Sequence, residues 1–323
     1  MARTRCYRDG SLVAEGFPVA EVSDHLADPA NTIWFDLCSP DSAELESIRD
    51  ELGLHELAVE DALQPGQRPK IDHYPEHLFL VAYATMFDPA TARLRFCEVT
   101  AFITDHALVT VRPDETFDID EVVRRWDADA ALASGGVAFL LHGLLDYVVD
   151  THYEAVQMMD GVVDSLEDQL FDEHIRDITV QRQTFEVRKD LVALRRLVLP
   201  MREVVNSLMR RDLGVVPPTL APYFQDVYDH VLRVSEWTDS LRDLLANILE
   251  TRLTLRGNRL NVVMKQVTSW AAIIAVPTAV TGFYGQNVPF PGFGTWHGFV
   301  ASTGVILLAS AALYVIFRRK GWL

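Results

Sequence analysis

The stretch Gln266–Phe317, QVTSWAAIIAVPTAVTGFYGQNVPFPGFGTWHGFVASTGVILLASAALYVIF, contains no Asp, Glu, Lys or Arg. Charged residues make up 23% of this 323-residue chain, so 52 consecutive uncharged positions are not a chance gap. The segment GQNVPFPGFGT divides the stretch into two apolar runs, Val267–Tyr284 and Trp296–Phe317. Each run approaches the ~20 residues needed to span a bilayer core. The sequence thus predicts two membrane-crossing helices rather than the buried hairpin of a soluble protein.

The flanking charges predict the orientation. Arg252, Arg256, Arg259 and Lys265 precede the first run, and Arg318, Arg319 and Lys320 follow the second, whereas the connecting loop has no basic residue. Basic flanks stay on the cytoplasmic side, which puts both termini inside and the loop outside, in a multi-pass cell (inner) membrane protein.

Working outward, the net charge of −17 repels phosphate backbones and favours cations, which excludes nucleic acid as a partner. Cys6, Cys38 and Cys97 are scattered and odd in number, as expected of a chain exposed to a reducing cytosol. The N-terminal MARTRCYRDGSLVAEGF has no apolar run before charges return, so no cleaved secretory signal is expected. No nucleophile–base grouping, HExxH or GxxxxGK[ST] motif is present; an enzyme is not expected, and neither is a resident cofactor.

Residues 1–140 read as a mixed α/β domain. LFLVAYATMF and RFCEVTAFITDHALVTVR have strand composition, and QPGQRPKID and FDPATA separate strand-like runs. SPDSAELESIRDELGL reads as a helix capped by Ser39 or Asp41, and ELAVEDAL as another. Residues 141–222 hold long antiparallel helices, an acidic one followed by a basic one, whose charges should pair; Pro200 should kink the second. From Tyr223 an apolar row (Leu241, Leu245, Ile248, Leu253, Leu260, Val267) continues into the first membrane run, interrupted only by Gly257. Residues 223–284 as one helix would be about 90 Å long and would need partners, most simply copies of itself. The loop 285–295, the second span 296–317 and a basic tail 318–323 complete the chain.

Two spans cannot enclose a pore, but a ring of first spans can. Asn261, Met264, Val267, Ala271, Ala275, Thr278 and Gly282 recur every three or four residues and are small, polar or flexible. This face reads as a pore lining and equally as a close-packing surface between membrane helices. Pro277 frees a helix carbonyl which, with the Thr278 hydroxyl, could meet water. At the outer end come Gly285, Gln286 and Asn287. Asn supplies a neutral carbonyl oxygen, suited to gripping a hydrated cation through its waters without trapping it.

These residues resemble the CorA magnesium/cobalt transporter family, marked by a Gly-x-Asn signature. YFQDVYDHV, NVVMKQVT, AVPTAVTGFYGQN and RRKGWL follow the family's order, and LAVEDAL, RPKID, ITDHALVTVR and LVLPMREVV resemble further family segments. The resemblance implies an α+β membrane protein: an α/β/α cytoplasmic domain, a long helical stalk continuing as the pore-lining span, a peripheral second span and a homopentameric pore. It further implies a selectivity filter at Gly285, Gln286 and Asn287, a polar inner ring at Asn261, a hydrophobic gate at Met264 and Val267, and a polar ring at Thr278. Cytoplasmic magnesium bound between protomers would hold the pore shut, with Asp226 facing Asp88 of a neighbour and a second site at Asp160 or Asp164. Magnesium, possibly cobalt, would be both cargo and regulator, driven by the membrane potential.

Two departures bear on the ion. Gln286 stands where the best-known magnesium transporters have Met, and the loop Val288–His297 lacks Asp and Glu. A zinc, nickel or cobalt transporter on the same scaffold is the first alternative. A membrane-anchored metal-sensing scaffold without conduction is the second.

Overall fold

The computed structural model describes residues 3–88, 90–91, 93–129, 132–170, 177–210, 214–286, 289 and 291–323, with residues 177–179 as backbone alone. The chain forms two compact units, Met1–Ala246 and Asn247–Leu323.

In the first unit, β1 (Arg3–Arg8), β2 (Ser11–Glu15) and β3 (Asn31–Cys38) make one antiparallel group. β4 (Lys70–His73), β5 (Leu78–Asp88), β6 (Arg93–Ile103) and β7 (Ala107–Arg112) make another. A parallel pairing of β3 with β7 joins them into one sheet of order β2-β1-β3-β7-β6-β5-β4. The run RFCEVTAFITDHALVTVR is two strands, because Thr104 turns the chain: its Oγ1 accepts from the Ala107 N–H at 2.9 Å.

Strand side chains alternate between two covered faces. Ile33, Phe35, Leu37, Val109 and Val111 join Leu45 and Ile48 of α2 (Ser42–Leu52) and Ala58 and Val59 of α3 (Glu56–Leu63) in one core; the short α1 (Val22–Leu26) adds Val22. On the other face Trp34 meets Trp126 of α4 (Ile119–Ala128) edge-on at 5.0 Å. There the carboxylate of Asp36, 0% exposed, accepts from Arg112 Nη2 at 2.6 Å and from the Thr110 hydroxyl at 2.8 Å. α2 begins with a reciprocal cap: Asp41 accepts from the Glu44 N–H at 2.8 Å, and Glu44 accepts from the Asp41 N–H at 3.3 Å.

α5 (Val137–Asp168) lies against β5, and α6 (Asp177–Leu208) packs on α5 and β4–β6. Asp190 of α6 is buried and accepts from the Leu94 N–H at 2.8 Å. The first turns of α7 (Ala221–Tyr284) meet α5, with Tyr153 and Trp237 rings 5.5 Å apart, and meet α6, where Arg195 pairs with Asp239 at 2.8 Å. Acidic α5 and basic α6 do pack together, but no ion pair joins them among the described residues. The Asp146 and Asp150 carboxylates of α5 are held instead by Arg125 at 2.8 and 2.7 Å. Pro200 sits within α6 without ending it, and Gly257 does not interrupt α7.

The second unit holds the rest of α7 and α8 (Trp296–Arg319). Thr295 caps α8, its Oγ1 accepting from the Gly298 N–H at 3.2 Å and donating to the Gly292 carbonyl at 2.8 Å. Both helices have the length and composition to cross a membrane, with 6% of the apolar window buried in α7 and none in α8. The core helix of a soluble protein would be mostly buried, whereas these two are left almost uncovered by the rest of the chain.

Candidate functional site

Through the uncharged segment, α7 divides into two sides. Ser269, Ala272, Ile273, Val276, Pro277 and Val280 are buried or half-buried. With 3.6 residues per turn these share one side of the helix. Met264, Val267, Ala271 and Thr278 fall on the opposite side and are exposed, Met264 at 66% and Val267 at 63%. Asn261, about a quarter-turn from that row, is exposed in a stretch, 253–268, that is uncovered all round. Trp270 and Ile274 are exposed along the flank of that row. From Ser269 onward the small and polar face is therefore the one that no other part of the second unit covers.

Its hydroxyls point back along the helix. Thr278 Oγ1 donates to the Ile274 carbonyl at 3.0 Å, and Thr281 Oγ1 donates to the Pro277 carbonyl at 2.8 Å. With the protons engaged, the oxygen lone pairs are what these side chains can offer a cation or its water shell. Pro277 lacks an N–H, so the Ile273 carbonyl loses its helical donor.

Gly285 ends this helix. Its N–H donates to the Thr281 carbonyl at 2.8 Å, and a Cβ there would lie 2.9 Å from the same oxygen. No real Cβ tolerates that approach, so the helix ending itself demands glycine. Gln286 follows, exposed, with its N–H donating to the Phe283 carbonyl at 3.3 Å. Asn287 lies outside the described residues.

The four carboxylates singled out from the sequence occupy different settings. Asp88, at the end of β5, accepts from the Thr91 hydroxyl at 2.7 Å and the Ala90 N–H at 2.9 Å. These donors hold it below the usual carboxylate range. Asp160 on α5 is half-buried and accepts from Trp237 Nε1 at 3.3 Å. Asp164 is exposed one turn further on. Asp226 is exposed near the start of α7, 3.9 Å from His230 Nε2. Among the described residues no three His, Cys, Asp or Glu side chains gather as a metal-holding group. One chain therefore brings Asp160 to α7 but does not assemble the four into a chelating cluster.

Two neighbours of these carboxylates escape the sequence reading. Trp237 orients Asp160, and its only signal is an aromatic residue inside the charged run SEWTDS. His142 lies against the rings of Tyr223 and Phe224 at 5.8 and 5.6 Å. Burial lowers its pKa, while the charges of Asp146, Asp129 and Asp226 pull the other way. Asp146 is itself raised by burial, and next by Asp150.

Comparison with known proteins completes the picture. The cobalt/magnesium transport protein CorA of Thermotoga maritima is 27% identical over 92% of this chain and 85% of its own length. The zinc transport protein ZntB of Yersinia pseudotuberculosis is 23% identical over 97% of this chain and 94% of its own. The solved structure of the CorA magnesium transporter from Methanocaldococcus jannaschii covers 100% of this chain and 99% of that one, with a TM-score of 0.82 at 22% identity, so the fold is shared. Residues 29–319 match the family described as CorA-like Mg2+ transporter protein. With its N-terminal α/β domain, long helix and apolar C-terminal helix, this chain belongs to the CorA-like Mg2+ transporter family, a family of membrane-embedded divalent cation transporters rather than enzymes.

Proposed function

We propose that the chain is a magnesium channel, with cobalt as a second cargo, working as a homopentamer in the cell membrane with both termini in the cytoplasm. The observation that carries this reading is the exposed row Met264–Val267–Ala271–Thr278, opposite the side of α7 covered from Ser269 onward, with Asn261 exposed toward its inner end. Five such rows around an axis make a wall of amide, thioether, methyl and hydroxyl groups. A hydrated cation passes such a wall without binding tightly, because no carboxylate is there to trap it. Gly285, Gln286 and Asn287 form the outer filter, and Met264 with Val267 the constriction.

The membrane potential drives entry, supplying about 4.6 kcal/mol for a divalent ion at 100 mV. Asp226 of one protomer and Asp88 of the next share a cytoplasmic magnesium ion, with Asp160 or Asp164 at a second site. Binding offsets carboxylate repulsion in the closed arrangement alone, so falling magnesium opens the pore. The test is magnesium-dependent rescue of a transport-deficient strain. Asn287→Ala should abolish rescue while leaving assembly intact, and normal rescue would remove the filter assignment.

Zinc is the second reading, favoured by Gln286 in the middle of the signature and by similarity to a zinc transport protein. Proteoliposome uptake of magnesium and zinc, under a potential and then under a pH gradient, separates the two. Proton-driven zinc flux without magnesium flux would overturn the magnesium assignment.

A further inference from the structure

The charges of α6 are sorted by face. In its first half two acids turn toward the sheet: Glu186 pairs with Arg93 at 3.1 Å, and Asp190 is the buried acceptor of the Leu94 N–H, whereas Glu203 further along is exposed. Its bases turn outward, Arg195 apart, which pairs with Asp239 of α7. Arg182, Lys189 and Arg196 recur every seven residues on the exposed face, with Arg188 beside them. None of the four makes a hydrogen bond or ion pair among the described residues. Phe185, 65% exposed, and Val192, 37% exposed, lie along the same face, again seven apart.

α5 carries the complement. Asp146 and Asp150 are held by Arg125, but Glu154, Asp164 and Asp168 are exposed without an ion pair among the described residues. Glu154, Gly161 and Asp168 recur every seven residues, as the basic row does, and Met158 beside them is 40% exposed. Gly161 has no reason within its own chain: a Cβ there would meet nothing within 4 Å. A mid-helix glycine costs about 1 kcal/mol against alanine, so an unfilled notch on an exposed face calls for something to enter it.

We infer that the basic face of α6 on one copy docks against the acidic face of α5 on the next, with Phe185 or Val192 entering the notch at Gly161. Rows of equal period and length, opposite charge and a knob facing a hole are what two packed helices require. The two patches are different surfaces of one chain, so the contact is head-to-tail, the kind that closes into a ring. This rests on the homo-oligomeric reading above and adds which faces meet.

The test uses the purified full-length chain in detergent, measuring its assembly across concentration by native mass spectrometry. Lys189→Glu with Arg196→Glu should raise the dissociation concentration by about tenfold, since like charges then face each other. Glu154→Lys with Asp168→Lys should do the same, and all four changes together should restore wild-type assembly. Gly161→Leu should raise the thermal stability of the isolated chain yet weaken assembly; a purely structural glycine would give the first effect alone. Wild-type chain that stays monomeric throughout overturns the homo-oligomeric reading itself. Assembly indifferent to the reversals overturns this inference alone. So does weakening that the four-fold exchange leaves uncorrected; if that weakening follows added anionic lipid, the basic face belongs to lipid headgroups.

Discussion

The imidazole of His152 donates from Nε2 to the backbone carbonyl of Tyr83 at 2.7 Å, with the ring 0% exposed. Beside it the Thr85 N–H donates to Thr151 Oγ1 at 3.0 Å, and Thr85 Oγ1 donates to the Thr151 carbonyl at 2.9 Å. Three hydrogen bonds thus fasten the middle of α5 to β5, two of them through the strand's backbone and one through the Thr85 hydroxyl. They fix the helix on which Asp160 and the acidic row are carried.

Burial pushes the His152 pKa down to about 4. The unfolded chain binds this proton near pH 6.5, the native chain near 4, so stability present above pH 6.5 is lost as pH falls toward 4. The full effect is about 3 kcal/mol. Buried His77, also lowered by desolvation, acts in the same direction. Denaturant unfolding followed by tryptophan fluorescence should show the midpoint dropping between pH 7 and pH 4.5. His152→Gln, which keeps a donor for the Tyr83 carbonyl, should flatten that slope.

Gly143 faces the indole of Trp126, and a Cβ there would lie 2.5 Å from Nε1, the atom that donates to the Leu140 carbonyl at 3.0 Å. Alanine is the better helix former by about 1 kcal/mol, but overpacking a filled core costs about 1–3 kcal/mol. Gly143→Ala should lower the thermal midpoint and change the Trp126 emission.

Removing one partner of the Asp36–Arg112 pair leaves the other charge buried and alone. Asp36→Ala should cost about 3–5 kcal/mol, measured by denaturant unfolding. Pairing it with Arg112→Leu should recover much of that loss, because neither charge then remains.

On the proposed regulatory role of Asp226, Asp226→Asn should raise the magnesium concentration that protects the chain from protease by about tenfold, the equivalent of ~1.4 kcal/mol of lost ion binding. Unchanged protection would remove Asp226 from the ion site.

The helices were legible because their signals are local. Asp41 and Glu44 are close enough in sequence to announce their cap, and Met264 to Thr278 show their common face by spacing alone. Strand pairing was not legible, since nothing near Ile33 indicates that it lies beside Ala107. The pairing expected between α5 and α6 failed for a related reason. A count of charges does not say which face each occupies, and Glu186 and Asp190 turned to β6. The small and polar row was readable, whereas the tight helix ending at Gly285 depends on the position of a carbonyl four residues earlier.

The parallel contact of β3 with β7 also sets an order of events during synthesis. β3 leaves the ribosome about 70 residues before the strand that covers its open edge, and until then that edge is an unpaired template. Everything the sheet needs is nonetheless made before Gln266, where the uncharged run begins. The slow, non-local step of folding can therefore finish in water before the translocon receives its first apolar helix.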